Sequence, residues 1–159
     1  MNEYKEYLDD GIYDIRSGKY ADGISKINQS LELKNDWEIP YFYRAVANQA
    51  LENFDEAILD YTKALQFNDK MTDAYYNRAK ILLSRKDVES PDLNRALNDL
   101  EKALELDENF TDALYAMAAL QKRLENYSEA LKYLDRVLDL QPDFIYARAL
   151  KKLILNKYL

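Results

Sequence analysis

Apolar residues recur along this chain at intervals of three and four. Phe54, Ala57, Ile58, Tyr61 and Leu65 form one such run, which is the spacing of one face of a helix and not the alternation of a strand. Polar turn chemistry separates the runs, as at Asn68-Asp69-Lys70 and Asp107-Glu108-Asn109. The small residues carry a longer period. Gly11, Ala45 and Ala79 lie 34 apart and Ala118 follows after 39, whereas Gly23, Ala57, Ala96 and Ala130 are spaced by 34, 39 and 34. The two series differ only in where five extra residues fall, so an insertion lies between Ala79 and Ala96, in residues 84–94. Within it, Ser90-Pro91-Asp92 reads as a helix start. Ser90 is the N-cap, Pro91 takes the first helical position where its missing N–H costs nothing, and Asp92 suits the positive end of the helix dipole. A helix pair of this length cannot bury its apolar stripe alone, so each unit needs its neighbours.

On these residues the chain resembles the tetratricopeptide repeat family, whose 34-residue unit is a pair of antiparallel helices, A and B, with small residues where the two touch. The units run over residues 4–37, 38–71, 72–110 (with the insertion) and 111–144, and 145–159 forms one further, capping helix. Tyr7, Tyr41, Tyr75 and Leu114 occupy the family's aromatic fourth position. Tyr20, Phe54 and Tyr127 sit at the seventeenth, and Ile27, Tyr61, Leu100 and Leu134 at the twenty-fourth. Ser30, Ala64, Ala103 and Val137 hold the twenty-seventh. The eleventh position departs from the family's usual tyrosine, reading Asp14, Asn48, Leu82 and Gln121, and the proline near the end of the unit appears only as Pro142. The resemblance implies an all-α fold, a single-domain α-solenoid of about nine helices stacked as antiparallel pairs in a right-handed superhelix.

Opposite charges fall at matched positions inside the repeats. The seventh position reads Asp10, Arg44, Arg78 and Met117, and the twenty-third reads Lys26, Asp60, Asp99 and Tyr133. If the two positions face each other, three units carry an ion pair between their helices, reversed in sign in the first, and the fourth carries two largely apolar residues.

The resemblance also implies a binding surface. In such proteins the A helices line a concave groove for an extended peptide or a partner helix. Mapped here, the candidate peptide-binding residues are Leu8, Ile12, Phe42, Tyr43, Val46, Tyr76, Asn77, Lys80, Tyr115, Ala119 and Arg123. Such a groove is aromatic and apolar with a small polar and basic edge, to which Lys122 also contributes. The family's two-carboxylate clamp, which captures acidic chaperone tails, is not expected. Of the five residues it needs, only Asn77 matches, and Asp73 or Asp112 stands where it needs lysine. Each aromatic residue could instead pack between adjacent A helices.

Charge then changes the picture at one end. The chain holds 22 Lys and Arg against 29 Asp and Glu, a net charge of −7, yet Arg148, Lys151, Lys152 and Lys157 give the last helix +4 with no acid. A helical wheel puts Tyr146, Ala149, Leu150, Leu153 and Ile154 on the face that covers the last repeat and leaves Leu155 and Leu159 among the charges, a possible self-association surface. The acidic balance argues against nucleic acid and anionic membranes as partners, and no stretch approaches the length of apolar residues that a membrane span needs. A soluble cytoplasmic protein is expected. No cysteine or histidine is present and only three glycines, which excludes thiolate and imidazole catalysis, Cys/His metal sites and glycine-rich phosphate loops. Carboxylates at Asp9-Asp10, Glu105 with Asp107-Glu108, and Asp135 with Asp139 read as solvated helix faces. The expectation is a non-enzyme without cofactor or metal. Two readings stay open: an adaptor or scaffold that binds another protein, and a structural module that assembles with its own copies.

Overall fold

The computed structural model describes residues 2–84 and 91–158. Among them are nine helices and no strand: α1 (Glu3–Arg16), α2 (Tyr20–Leu33), α3 (Glu38–Ala50), α4 (Phe54–Phe67), α5 (Thr72–Ser84), α6 (Pro91–Leu106), α7 (Thr111–Arg123), α8 (Tyr127–Leu140) and α9 (Ile145–Lys157). The A helices of the repeat frame are α1, α3, α5, α7 and α9, and each begins within a residue of its expected position. Three B helices begin at the seventeenth-position residues Tyr20, Phe54 and Tyr127. In the third unit α6 starts at Pro91 and is 16 residues long, against 14 for α2, α4 and α8. The Ser90 cap, the rest of residues 85–90 and Leu159 lie outside the described residues.

The chain divides into two compact units, residues 1–74 and 75–159. In the first, Leu8, Ile15, Ile27, Leu31 and Ala47 form the core, flanked by Ile12, Tyr20, Ile24, Trp37, Tyr43 and Val46. In the second, Leu114, Ala118, Ala130, Leu134, Val137, Ala147 and Ile154 are fully buried. Burying a large aliphatic side chain of this kind contributes about 1.5–3 kcal/mol, so these clusters are the main force holding each unit together.

The small residues do what their spacing predicts. Ala45, Ala57, Ala79, Ala96, Ala118 and Ala130 are all fully buried. In α1 and α2 the same positions hold Gly11 and Gly23, and there the backbones come closer still. A methyl group at Gly11 would stand 2.8 Å from Ile27 Cγ1 and 3.0 Å from the Gly23 carbonyl oxygen; one at Gly23 would stand 2.5 Å from Ile15 Cγ1 and 2.9 Å from the Gly11 carbonyl oxygen. Two more positions recur on every A helix after the first. The third and tenth residues of the frame, Pro40 and Ala47, Ala74 and Ile81, Ala113 and Leu120, and Ala147 and Ile154, are all buried.

The turn from helix A to helix B is equally regular. Gly18, Glu52 and Glu125 occupy its fifteenth position with φ of 78°, 61° and 62°. This left-handed conformation ends the A helix and lets the next N–H reach back, from Lys19 to the Asp14 carbonyl (2.8 Å), Asn53 to Asn48 (2.9 Å) and Asn126 to Gln121 (2.8 Å). The polar eleventh position is thereby tied to the turn. The Asn126 amide donates to Gln121 Oε1 at 2.9 Å, and Asn53 to Asn48 Oδ1 at 3.4 Å.

Candidate functional site

Charged side chains clasp the helix pairs as the spacing predicts in two repeats. Arg44 donates from Nε and Nη2 to the two Asp60 oxygens at 2.8 and 2.7 Å, and Arg78 grips Asp99 with the same pair of distances. Each fork is bidentate and each aspartate is buried, which orients helix B against helix A. Arg44 is held above the ordinary arginine range, chiefly by its hydrogen bond to Asp60. The first repeat keeps the expected pair at longer range and adds a closer partner. Lys26 lies 3.9 Å from Asp10 but 2.7 Å from Asp14, one turn further along α1. Asp14 is buried, so the flexible ammonium goes to the carboxylate that has lost its water, and this hydrogen bond raises the Lys26 pKa.

The candidate groove residues of the first unit divide by depth. Leu8 is 4% exposed and belongs to the core, while Ile12, Tyr43 and Val46 are half-buried against that core. The half-buried Phe42 packs edge-on against Tyr43 and Tyr61, with ring centroids 5.5 and 5.8 Å apart. Arg16, which the sequence frame did not single out, donates to the Tyr43 hydroxyl at 3.1 Å and lies over its ring.

In the second unit an aromatic row runs over α7 and α9, and Tyr76 on α5 repeats its motif. Tyr76 meets Phe110, the residue before α7, at 5.0 Å, and Tyr115 meets Phe144, the residue before α9, at 5.3 Å. Phe144 in turn contacts Tyr146 at 6.3 Å. Each fifth-position tyrosine is thus half-buried, with its ring against the phenylalanine that precedes the next A helix. Burial raises the Tyr76 and Tyr115 pKa, with a smaller push from Asp112 on Tyr76 and from Tyr146 on Tyr115. Lys80 is exposed, its ammonium 5.7 Å from the Tyr76 ring centroid. Asn77 and Ala119 are half-buried. Arg123 donates to the Leu83 carbonyl at 3.3 Å and ties α7 to the end of α5.

The last helix bears out the wheel at Leu150 and Ile154 and corrects it at Tyr146, Ala149 and Leu153. Ala147, Leu150 and Ile154 face the core, whereas Tyr146 is 71% and Leu153 43% exposed and Ala149 is exposed beside them. The wheel contains two overlapping apolar stripes, and the repeat frame selects the one through the third and tenth positions. Tyr146, Ala149 and Leu153 are the second, fifth and ninth residues of their A helix, the positions that on α7 hold Asp112, Tyr115 and Ala119. Sequence reasoning missed them as surface residues, although the frame could have found them.

The acidic groups offer little else. Glu105 pairs with Lys102 and Asp135 with Lys151, each at 2.6 Å, and all of these carboxylates are exposed. Among the described residues, no group of three acidic, histidine or cysteine side chains could hold a metal ion, and no helix is long and apolar enough to cross a membrane.

Comparison with known proteins places this geometry. A tetratricopeptide repeat family model matches residues 89–154. Tetratricopeptide repeat protein 12 of Homo sapiens is 33% identical over 70 residues, which are 44% of this chain and 10% of that protein, so the match spans about a tenth of the relative's length. Among solved structures, YrrB, described as a TPR protein with an unusual peptide-binding site, superposes with a TM-score of 0.80 at 22% identity, over 95% of this chain and 75% of its own. The first TPR domain of Spaghetti (RPAP3), bound to the HSP90 peptide SRMEEVD, does so with a TM-score of 0.66 at 25% identity, over 72% of this chain and 87% of its own. By its helix pairs and these likenesses, the chain has the tetratricopeptide-repeat fold, four helix pairs and a capping helix, and residues 89–154 match the family model.

Proposed function

We propose that the chain is a non-catalytic protein-interaction module that binds an apolar or aromatic peptide or helix of another protein on the A-helix side of residues 75–159. The observation that carries this reading is the aromatic row of Tyr115, Phe144 and Tyr146, which ends in a tyrosine that is 71% exposed and continues to the exposed Ala149 and Leu153. Aromatic side chains supply much of the energy at protein interfaces, and Tyr146 and Leu153 owe the core little. Asn77, which has no side-chain partner among the described residues, offers a hydrogen bond to a peptide backbone. The peptide complex of the Spaghetti domain supports the class of function but not its ligand. Asp73 and Asp112 are exposed here where an acidic tail would need lysine. In residues 1–74, Phe42, Tyr43 and Val46 form a second, smaller candidate surface.

Selection of random displayed peptides on the wild-type protein, with counter-selection on Tyr76→Ala/Tyr115→Ala/Tyr146→Ala, tests the reading. Enrichment of aromatic or aliphatic peptides that the variant fails to hold is expected. Peptides that bind both proteins equally would place the binding surface elsewhere.

A further inference from the structure

Beside the helix clasps lies a cavity that recurs in the two units and differs in its chemistry. In residues 1–74 a space of about 380 Å³ is lined by Asn28, Leu31, Glu32, Asn35, Tyr41 and Arg44. In residues 75–159 the corresponding residues of the frame, Glu101, Leu104, Glu105 and Met117, line a space of about 320 Å³ together with Tyr133 and Arg136. The first cavity already holds a guanidinium. Arg44 enters it from α3, donates from Nη1 to Asn28 Oδ1 at 2.7 Å and lies over the Tyr41 ring at 5.6 Å. In the second cavity every one of these groups has changed. Met117 replaces the arginine, Tyr133 replaces the aspartate that held it, and Glu101 replaces Asn28 with a full negative charge.

Two cations stand at this second cavity, one of them, Arg136, in its wall. Arg136 donates to the Glu108 backbone carbonyl at 2.7 Å, and Lys102 pairs with Glu105 at 2.6 Å. Glu101 has no ion-pair or hydrogen-bond partner among the described residues. Beside Arg136 and the paired Glu105, the lining offers the unpaired Glu101 carboxylate, the Tyr133 ring and an apolar wall of Leu104 and Met117. An arginine side chain matches all three: its head can pair with a carboxylate and lie on a ring, and its stem can lie on the apolar wall.

We propose that the α6–α7–α8 cavity of the fourth repeat is a docking site for an arginine side chain of a partner protein, taking from outside the guanidinium that the second repeat supplies from its own chain. Charge complementarity with Glu101 and the occupied counterpart at Arg44 commit the site to a cation. Its lining residues are not those of the exposed aromatic surface, although both use α7, so Tyr146→Ala on α9 leaves it intact and the two readings fail separately.

The chain has three methionines, and labelling their ε-methyl groups with ¹³C gives Met117 an NMR signal inside the cavity, with Met71 as a control. The probe is N-acetyl-arginine N-methylamide, compared with the citrulline derivative, which keeps the shape and lacks the charge. A saturable shift of the Met117 signal is expected with the arginine probe, with Met71 unmoved. Glu101→Gln, an exposed surface change, should weaken binding about three- to fivefold, the ratio an exposed ion pair supplies. A Met117 signal that does not move, an equal response to the citrulline probe, or unchanged binding by Glu101→Gln would overturn the proposal.

Discussion

Removing the arginine from the second repeat's clasp is the sharpest test of how these helix pairs are oriented. Arg44→Met leaves the Asp60 carboxylate, whose side chain is only 10% exposed, without the two donors it now has at 2.8 and 2.7 Å. Breaking a fully buried pair costs about 3–5 kcal/mol. Water reaches the arginine side, which is 25% exposed, so the cost here falls to about 2–3 kcal/mol. In a unit of this size that is a loss in Tm on the order of 10 °C. The fourth repeat shows how the chain dispenses with the pair, by putting Met117 and Tyr133 at the two positions. The double variant Arg44→Met/Asp60→Tyr should therefore return to within about 1 kcal/mol of the wild type, since no charge is left stranded. Urea unfolding followed by the fluorescence of Trp37, the only tryptophan and a residue of the same unit, reads all three proteins. If Arg44→Met matches the wild type, or if the double variant loses as much as the single variant, the clasp does not orient the pair as described.

Three further outcomes follow from the geometry. Glu52→Gly and Glu125→Gly should each stabilise the protein by up to about 1 kcal/mol in chemical denaturation, because both residues sit at positive φ, where a side chain is strained; a loss would show that the turn is not strained. Gly11→Ala and Gly23→Ala should instead destabilise the first helix pair by about 1–3 kcal/mol, less whatever helix propensity returns, because the opposing backbone oxygen cannot give way. Because burial raises the Tyr76 and Tyr115 pKa above the usual tyrosine value, their contribution is complete below about pH 10 and is lost as pH rises through the folded-state values. Thermal melts between pH 9 and 11.5 should show falling stability, with a shallower fall in Tyr76→Phe; an equal fall in that variant would remove Tyr76 from the account.

The helix pairs were legible from the small residues in every repeat, and from a second signal as well in the second and third. A 34-residue return of small residues fixed which helices touch, and opposite charges at matched positions named Arg44 with Asp60 and Arg78 with Asp99. Other features depend on quantities that residue type does not encode. Lys26 prefers Asp14 to Asp10 because of burial, not spacing. The strained turns at Glu52 and Glu125 carry no glycine to mark them, and only their alignment with Gly18 gives them away. On α9 the wheel offered two overlapping apolar stripes and no means of choosing between them. The exposed row through Tyr146 and Leu153 became visible once Ala147 and Ile154 were seen against α7 and α8.

The measurement that bears most directly on the interaction role is the affinity of one selected peptide for the wild type, for Tyr146→Ala and for Leu153→Glu, by isothermal titration. Both residues are exposed, so the helical circular dichroism of the variants should match the wild type. The account predicts that each change weakens binding about tenfold or more, as the loss of an interface anchor does. Unchanged affinity in both correctly folded variants would contradict it.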